Sequence, residues 1–168
     1  MTEATPKKQD YDNPWKLTLD DYLDEFMLFY FPDIYTKIDW TQGYESLDTE
    51  FQSVVRDANL GNQRADKLVK VTTSEGKSEI VYIHIEVQSQ KDNDFERRMF
   101  TYNYRIFDKY GQFPVSLAIL ADENKHWKPS SHHFEQWGFI SHTQFPTVKL
   151  LDYAERLAAC RTIDAKTG

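Results

Sequence analysis

Apolar positions along the chain fall into blocks with two different periods. Leu19, Leu23, Phe26 and Tyr30 recur at helical spacing, with Thr18 placed to cap and Asp21 near the first turn. That pattern predicts a helix over residues 18–31, stopped by Pro32. Leu47, Phe51, Val54 and Ala58 predict a second helix over residues 46–58, ended by Asn59-Leu60-Gly61-Asn62. The period then changes to two. Residues 66–72 alternate loosely, Ser74-Glu75-Gly76-Lys77 reads as a hairpin turn, and residues 80–88 form the clearest strand. On that strand Val81, Ile83, Ile85 and Val87 point one way, and Ile80, Tyr82, His84, Glu86 and Gln88 the other. A long amphipathic helix follows over 93–110, with Asn93 and Glu96 as a capping box and Gly111 as its end. Residues 113–121 read as a buried strand, 134–141 and 143–151 as a further pair, and 153–160 as the start of a helix. The order predicts a mixed α/β domain.

Composition narrows the class. The 168 residues suit one domain, expected over 15–160 between a polar tail at 1–14 and a short tail at 161–168. No apolar run approaches the roughly 20 residues of a membrane span, and residues 1–12 lack a signal-peptide core, so a cytoplasmic protein is expected. The single cysteine, Cys160, excludes an intrachain disulfide and a four-cysteine zinc site. There is no HExxH, phosphate-cradling glycine loop or G-x-S-x-G elbow. His132 and His133 are adjacent and diverge. The net charge of −7 has the wrong sign for a nucleic-acid binder, so DNA contact would need a local basic patch or divalent cations.

The chemistry lies on the two strands. A short turn between antiparallel strands places the start of the first beside the end of the second, which brings Asp66 next to Glu86. Gln88 shares the face of Glu86. Two carboxylates and an amide oxygen are donors that hard cations such as Mg²⁺ prefer, and a cation would relieve their repulsion. The same residues would also suit an ordinary half-exposed sheet edge.

The run Ala65-Asp66-Lys67-Leu68-Val69-Lys70-Val71, followed by Ile83-His84-Ile85-Glu86-Val87-Gln88, resembles the D…E-x-Q signature of the Rpn family of recombination-promoting nucleases. That family is also labelled YhgA-like transposase, within the PD-(D/E)XK superfamily. Ile38-Asp39-Trp40, Gly43-Tyr44-Glu45, Arg98-Met99-Phe100, Tyr102-Asn103-Tyr104-Arg105 and Val148-Lys149-Leu150-Leu151-Asp152-Tyr153 extend the similarity from about residue 12 to 157. The resemblance implies a restriction-endonuclease-like αβββαβ core, with a mixed central sheet flanked by helices. It implies a Mg²⁺-dependent DNA endonuclease (Mn²⁺ being the alternative ion), with Asp66 and Glu86 as metal ligands. Gln88 stands where the superfamily usually has a catalytic Lys, so it would orient the attacking water by hydrogen bonding rather than by charge. Ala65 replaces the proline of the superfamily name.

A third carboxylate often comes from the preceding helix. Glu50, on the flank of the apolar stripe, is the candidate, with Glu45 behind it; a helix-surface charge is the other reading. Arg98 and Arg105 are seven apart on one helix face, with Arg97 beside them, and Lys67 and Lys70 lie near Asp66. These form the best basic patch for phosphates, or else a solvated face paired with Glu96 and Asp108. His84 either lines the site or packs in the sheet, and the four tryptophans read as core or rim packing. Cutting both strands would take two active sites, so a homodimer is expected. Two other functions suit the pattern: a weak or inactive nuclease fold serving as a DNA-binding or protein-interaction accessory, and a hydrolase of a non-nucleic substrate.

Overall fold

The computed structural model describes residues 14–56, 65–76 and 79–154. Helices α1 (Pro14–Asp21), α2 (Leu23–Tyr30) and α3 (Pro32–Tyr35) come first, then strand β1 (Glu45–Ser46) and helix α4 (Asp48–Arg56). Strands β2 (Ala65–Thr72) and β3 (Ile80–Gln88) lead into helix α5 (Phe95–Tyr110) and strand β4 (Val115–Leu120). Strands β5 (Ser131–Gln136), β6 (Phe139–Gln144) and β7 (Thr147–Lys149) follow, and residues 150–154 are helical.

The main sheet has the order β1-β2-β3-β4-β7. It is mixed: β1, β2 and β3 pair antiparallel, whereas β3–β4 and β4–β7 are parallel. Helix α5 supplies the long connection that parallel neighbours require. Alternation along the strands divides the core. Val69, Val71, Ile83, Ile85, Val87, Leu117 and Ile119 face Leu19, Leu23, Phe26 and Met27 of α1 and α2. On the other face Leu68 packs with Phe51 of α4 and with Tyr102 and Ile106 of α5, while Ala118 and Leu120 pack with Phe95 and Met99. The protein is therefore α/β, a mixed sheet between two layers of helices. No helix among the described residues is long and apolar enough to cross a membrane.

Several elements differ from expectation. The helix predicted over 18–31 is broken at Tyr22 (φ −135°), although Tyr22 N–H still donates to Thr18 O and Phe26 N–H to Tyr22 O. Thr18 does not cap; its hydroxyl donates back to Pro14 O from within α1. Pro32 does not simply end a helix but opens α3, where a missing N–H costs nothing. Residues 57–64, including the predicted helix stop, and residues 155–168, including Cys160, lie outside the described residues. The strand pair predicted over 134–151 is instead a separate hairpin, β5–β6, turned at Trp137 (φ 53°) and Gly138 (φ 83°). Two successive residues at positive φ suit a two-residue hairpin turn. Chain beyond that hairpin rejoins the main sheet as β7. Trp137 is 97% exposed at the turn, unlike the packing expected of it.

Candidate functional site

The β2–β3 register pairs Asp66 directly with Glu86 and Leu68 with His84. Both carboxylates therefore stand on the α4–α5 face, near the start of β2 and the end of β3. Glu86 is fully buried beneath α5, and Asp66 is half-buried. Like charges placed opposite each other across two strands destabilise a sheet unless something offsets them. The offset comes from α5.

Arg98 is only 3% exposed. Its Nε donates to Glu86 Oε1 at 2.7 Å, and Nη2 lies 2.7 Å from the same oxygen. Nη2 also donates to Gln88 Oε1 at 2.7 Å, and Nη1 donates to Asp92 Oδ2. Burial works against the charged guanidinium, but Glu86 and Asp92 outweigh it and hold its pKa above the ordinary value. The guanidinium also lies 5.2 Å above the Phe95 ring. Asp92 fixes the entry to α5, because its Oδ1 accepts from Asp94 N–H. That closure replaces the capping box predicted from Asn93 and Glu96.

His84 lies beside this cluster. Its Nε2 is 3.8 Å from Glu86 Oε2, and its Nδ1 is 3.2 Å from Ser116 Oγ, which also accepts from Asn103 Nδ2. Desolvation, helped by Arg98, holds its pKa at about 3, so the ring is neutral at ordinary pH. It is enclosed by Phe51 and Tyr102.

Other predicted residues lie elsewhere. Lys67 points to the opposite face of β2 from Asp66. There its Nζ, 3% exposed as a residue, is held by Asp20 at 2.7 Å and Asp48 at 2.8 Å. Burial opposes its charge, yet the two carboxylates raise its pKa overall. A buried, doubly paired ammonium is not offered to a phosphate, which corrects the DNA-contact expectation. Arg98 and Arg105 do share a face of α5, but it is the packed face. Arg105 Nη1 donates to Val54 O, so these two arginines form no exposed patch. Arg97 is exposed and pairs with Asp94.

Glu50 is exposed and does not join Asp66 and Glu86. Lys109 Nζ reaches the Glu50 carbonyl at 3.5 Å, and burial with the nearby Glu50 raises the Tyr110 pKa. At about 1.5 Å per residue, the Lys109 end of α5 is about 16 Å from Arg98. Glu45 instead pairs with Lys70 at 3.0 Å. Gln88 is partly engaged by the chain: its oxygen accepts from Arg98 and its Nε2 donates to Gln90 O, which uses one acceptor and one donor position of the amide.

Asp66 and Glu86 have the chemistry for a hard cation, and Mg²⁺ needs only one or two carboxylates when waters and substrate phosphate supply the rest. Among the described residues no group of three His, Cys, Asp or Glu is placed to hold a metal ion. Two buried-cation partners escape the sequence, one on each face of the sheet. Asp48 stands at the start of α4, with Oδ1 accepting from Leu68 N–H. Asp92, in Asp92-Asn93-Asp94, carries only the signal of a turn residue.

No curated protein and no solved structure matches the chain. The family model described as "Putative transposase, YhgA-like" matches residues 20–121, from the end of α1 through β4. That span is more than half of the sequence and contains Asp66, Glu86, Gln88, Asp92 and Arg98. The chain belongs to the YhgA-like transposase family.

Proposed function

We propose that this transposase-related protein is a divalent-metal-dependent DNA endonuclease of the PD-(D/E)XK type. The observation that carries the reading is the direct pairing of Asp66 with Glu86 across β2 and β3. The element order supports it: α1–α3, β1, β2, β3, α5 and β4 spell αβββαβ, with α4 inserted after β1. Family membership points to DNA as the partner.

Asp66 and Glu86 would hold Mg²⁺ or Mn²⁺, which when bound supplies a nucleophilic hydroxide and stabilises charge on phosphate. The chain's own residues prepare the place. Arg98 fixes one oxygen of Glu86 and offsets its charge, leaving Oε2 on the side of neutral His84. Phe51, Tyr102 and α5 exclude water from the buried edge of the site. Cutting both strands would take two copies of the chain. A second reading, a DNA-binding accessory without turnover, is favoured by one observation: Arg98 already neutralises Glu86 and binds Gln88.

Supercoiled plasmid incubated with Mg²⁺ or Mn²⁺ separates the two. Wild type should nick it, EDTA should stop the reaction, and Asp66→Asn and Glu86→Gln should each lose about 100-fold in rate, the worth of about 3 kcal/mol of charge stabilisation. Variants as fast as wild type, or cleavage indifferent to EDTA, would sink the endonuclease reading. DNA binding without nicking would select the accessory.

A further inference from the structure

We propose that Arg98 is a positioning residue that ties the geometry of the Asp66–Glu86 pair to the loop carrying Asp92. Its activity arm rests on the endonuclease reading. The guanidinium is a rigid planar fork, so partners bound to its several edges are fixed relative to one another. Here two of its nitrogens meet Glu86 Oε1, one also meets Gln88 Oε1, and the third meets Asp92. Anchoring one oxygen of Glu86 sets the rotation of the carboxylate, and with it the direction of Oε2, which lies 3.8 Å from His84 Nε2. Carboxylates that bind metals are commonly oriented in this way by a hydrogen-bonding neighbour.

Asp92 differs from the other carboxylate on the fork. Glu86 is fully buried, whereas the Asp92 side chain is 29% exposed. It also lines a cleft of about 410 Å³ with Lys91, His126, Trp127 and Lys128, between the loops before α5 and after β4. A shift of the Asp92 loop therefore acts on the guanidinium, and through it on Glu86. A lysine at this position would keep the charge but not the fork, so it could not hold Glu86, Gln88 and Asp92 in one plane.

The test compares the full chain with Arg98→Lys and Asp92→Asn. On a short duplex, Arg98→Lys should lower kcat about 100-fold with KM for DNA nearly unchanged, as expected when a reacting group is misplaced by about 1 Å. Asp92→Asn, which keeps an acceptor but not the charge, should lower Tm by about 2–4 °C and lose about 10-fold in kcat measured well below that Tm. Wild-type kcat in either variant, or a loss that simply follows Tm, overturns the proposal. If wild type does not cleave, the endonuclease reading fails, and the coupling is read by NMR instead. Asp92→Asn should then move both the Arg98 Nε–H resonance and the Glu86 carboxyl carbon resonance. A Glu86 signal unmoved by Asp92→Asn overturns the coupling whatever the activity.

Discussion

His84 shows how a single buried ring sets a pH limit for the fold. Its unfolded pKa is near 6.5, while burial and Arg98 hold the folded value at about 3. Above pH 6.5 neither state binds the proton, and the ring contributes its full packing. As pH falls below 6.5, the unfolded chain takes up a proton that the folded chain refuses, so stability is lost down to about pH 3. The slope is at most about 1.4 kcal/mol per pH unit, or about 2 kcal/mol between pH 6.5 and 5. Urea titrations at pH 7.5 and 5.0 should show that extra loss in wild type and not in His84→Gln; equal losses would mean the ring titrates normally. At this scale the sequence is legible where geometry is short-ranged. Asp66 and Glu86 can be paired on paper because the turn between their strands fixes the register. Arg98 cannot be placed so. Next to Phe95, Met99 and Tyr102 it reads as the flank of an amphipathic helix, and only packing reveals that its charge is buried against Glu86.

Helix α4 is attached to the sheet by its first residue. Asp48 accepts Leu68 N–H at 3.0 Å and Lys67 Nζ at 2.8 Å, extending the work of the two-residue strand β1 along the edge of β2. Asp48→Ala would leave a sheet N–H and a buried ammonium short of an acceptor, and should cost about 2 kcal/mol in urea. Asp48→Asn, which keeps an acceptor, should recover about half of that. Glu50→Ala, on the exposed side of the same helix, should change stability by no more than about 0.5 kcal/mol. A large loss there would show that Glu50 belongs to a buried network after all. Whole elements are legible where one period runs cleanly: β3, α5 and β4 fall where the pattern predicts, within a few residues, and so does β2 despite its looser alternation. The break between α1 and α2 is not legible, because hydrogen bonds of helical type continue on both sides of Tyr22 and the apolar spacing never falters. The β5–β6 hairpin was misplaced because its residues are mostly exposed, so no buried face disciplines the alternation.

The distribution of charge governs how the whole molecule would meet DNA. Net charge is −7, and Lys67, Arg98 and Lys149 are consumed by buried pairs with Asp20, Asp48, Glu86, Asp92 and Asp122. These three are withdrawn from phosphate contact, and the acidic excess of the chain opposes the rest. Binding to a short duplex, followed by fluorescence anisotropy, should therefore weaken only gently with NaCl, with a log–log slope of about −1 to −3. Mg²⁺ at millimolar level should strengthen it in wild type but not in Asp66→Asn. A steep slope without Mg²⁺ would show that exposed lysines and arginines carry the binding instead.

The parallel pairing of β7 with β4 also has a consequence for how the chain is made. Strand β4 carries the most completely buried stretch of the sheet, Leu117 to Leu120, and one of its edges is closed only by residues 147–149. Those residues leave the ribosome after the entire β5–β6 hairpin. Until then an apolar strand stands with an open edge, the arrangement most prone to pairing with a neighbouring chain. During synthesis the vulnerable moment is therefore the interval in which the hairpin is emerging from the ribosome, and a pause there would be the one most prone to cause aggregation.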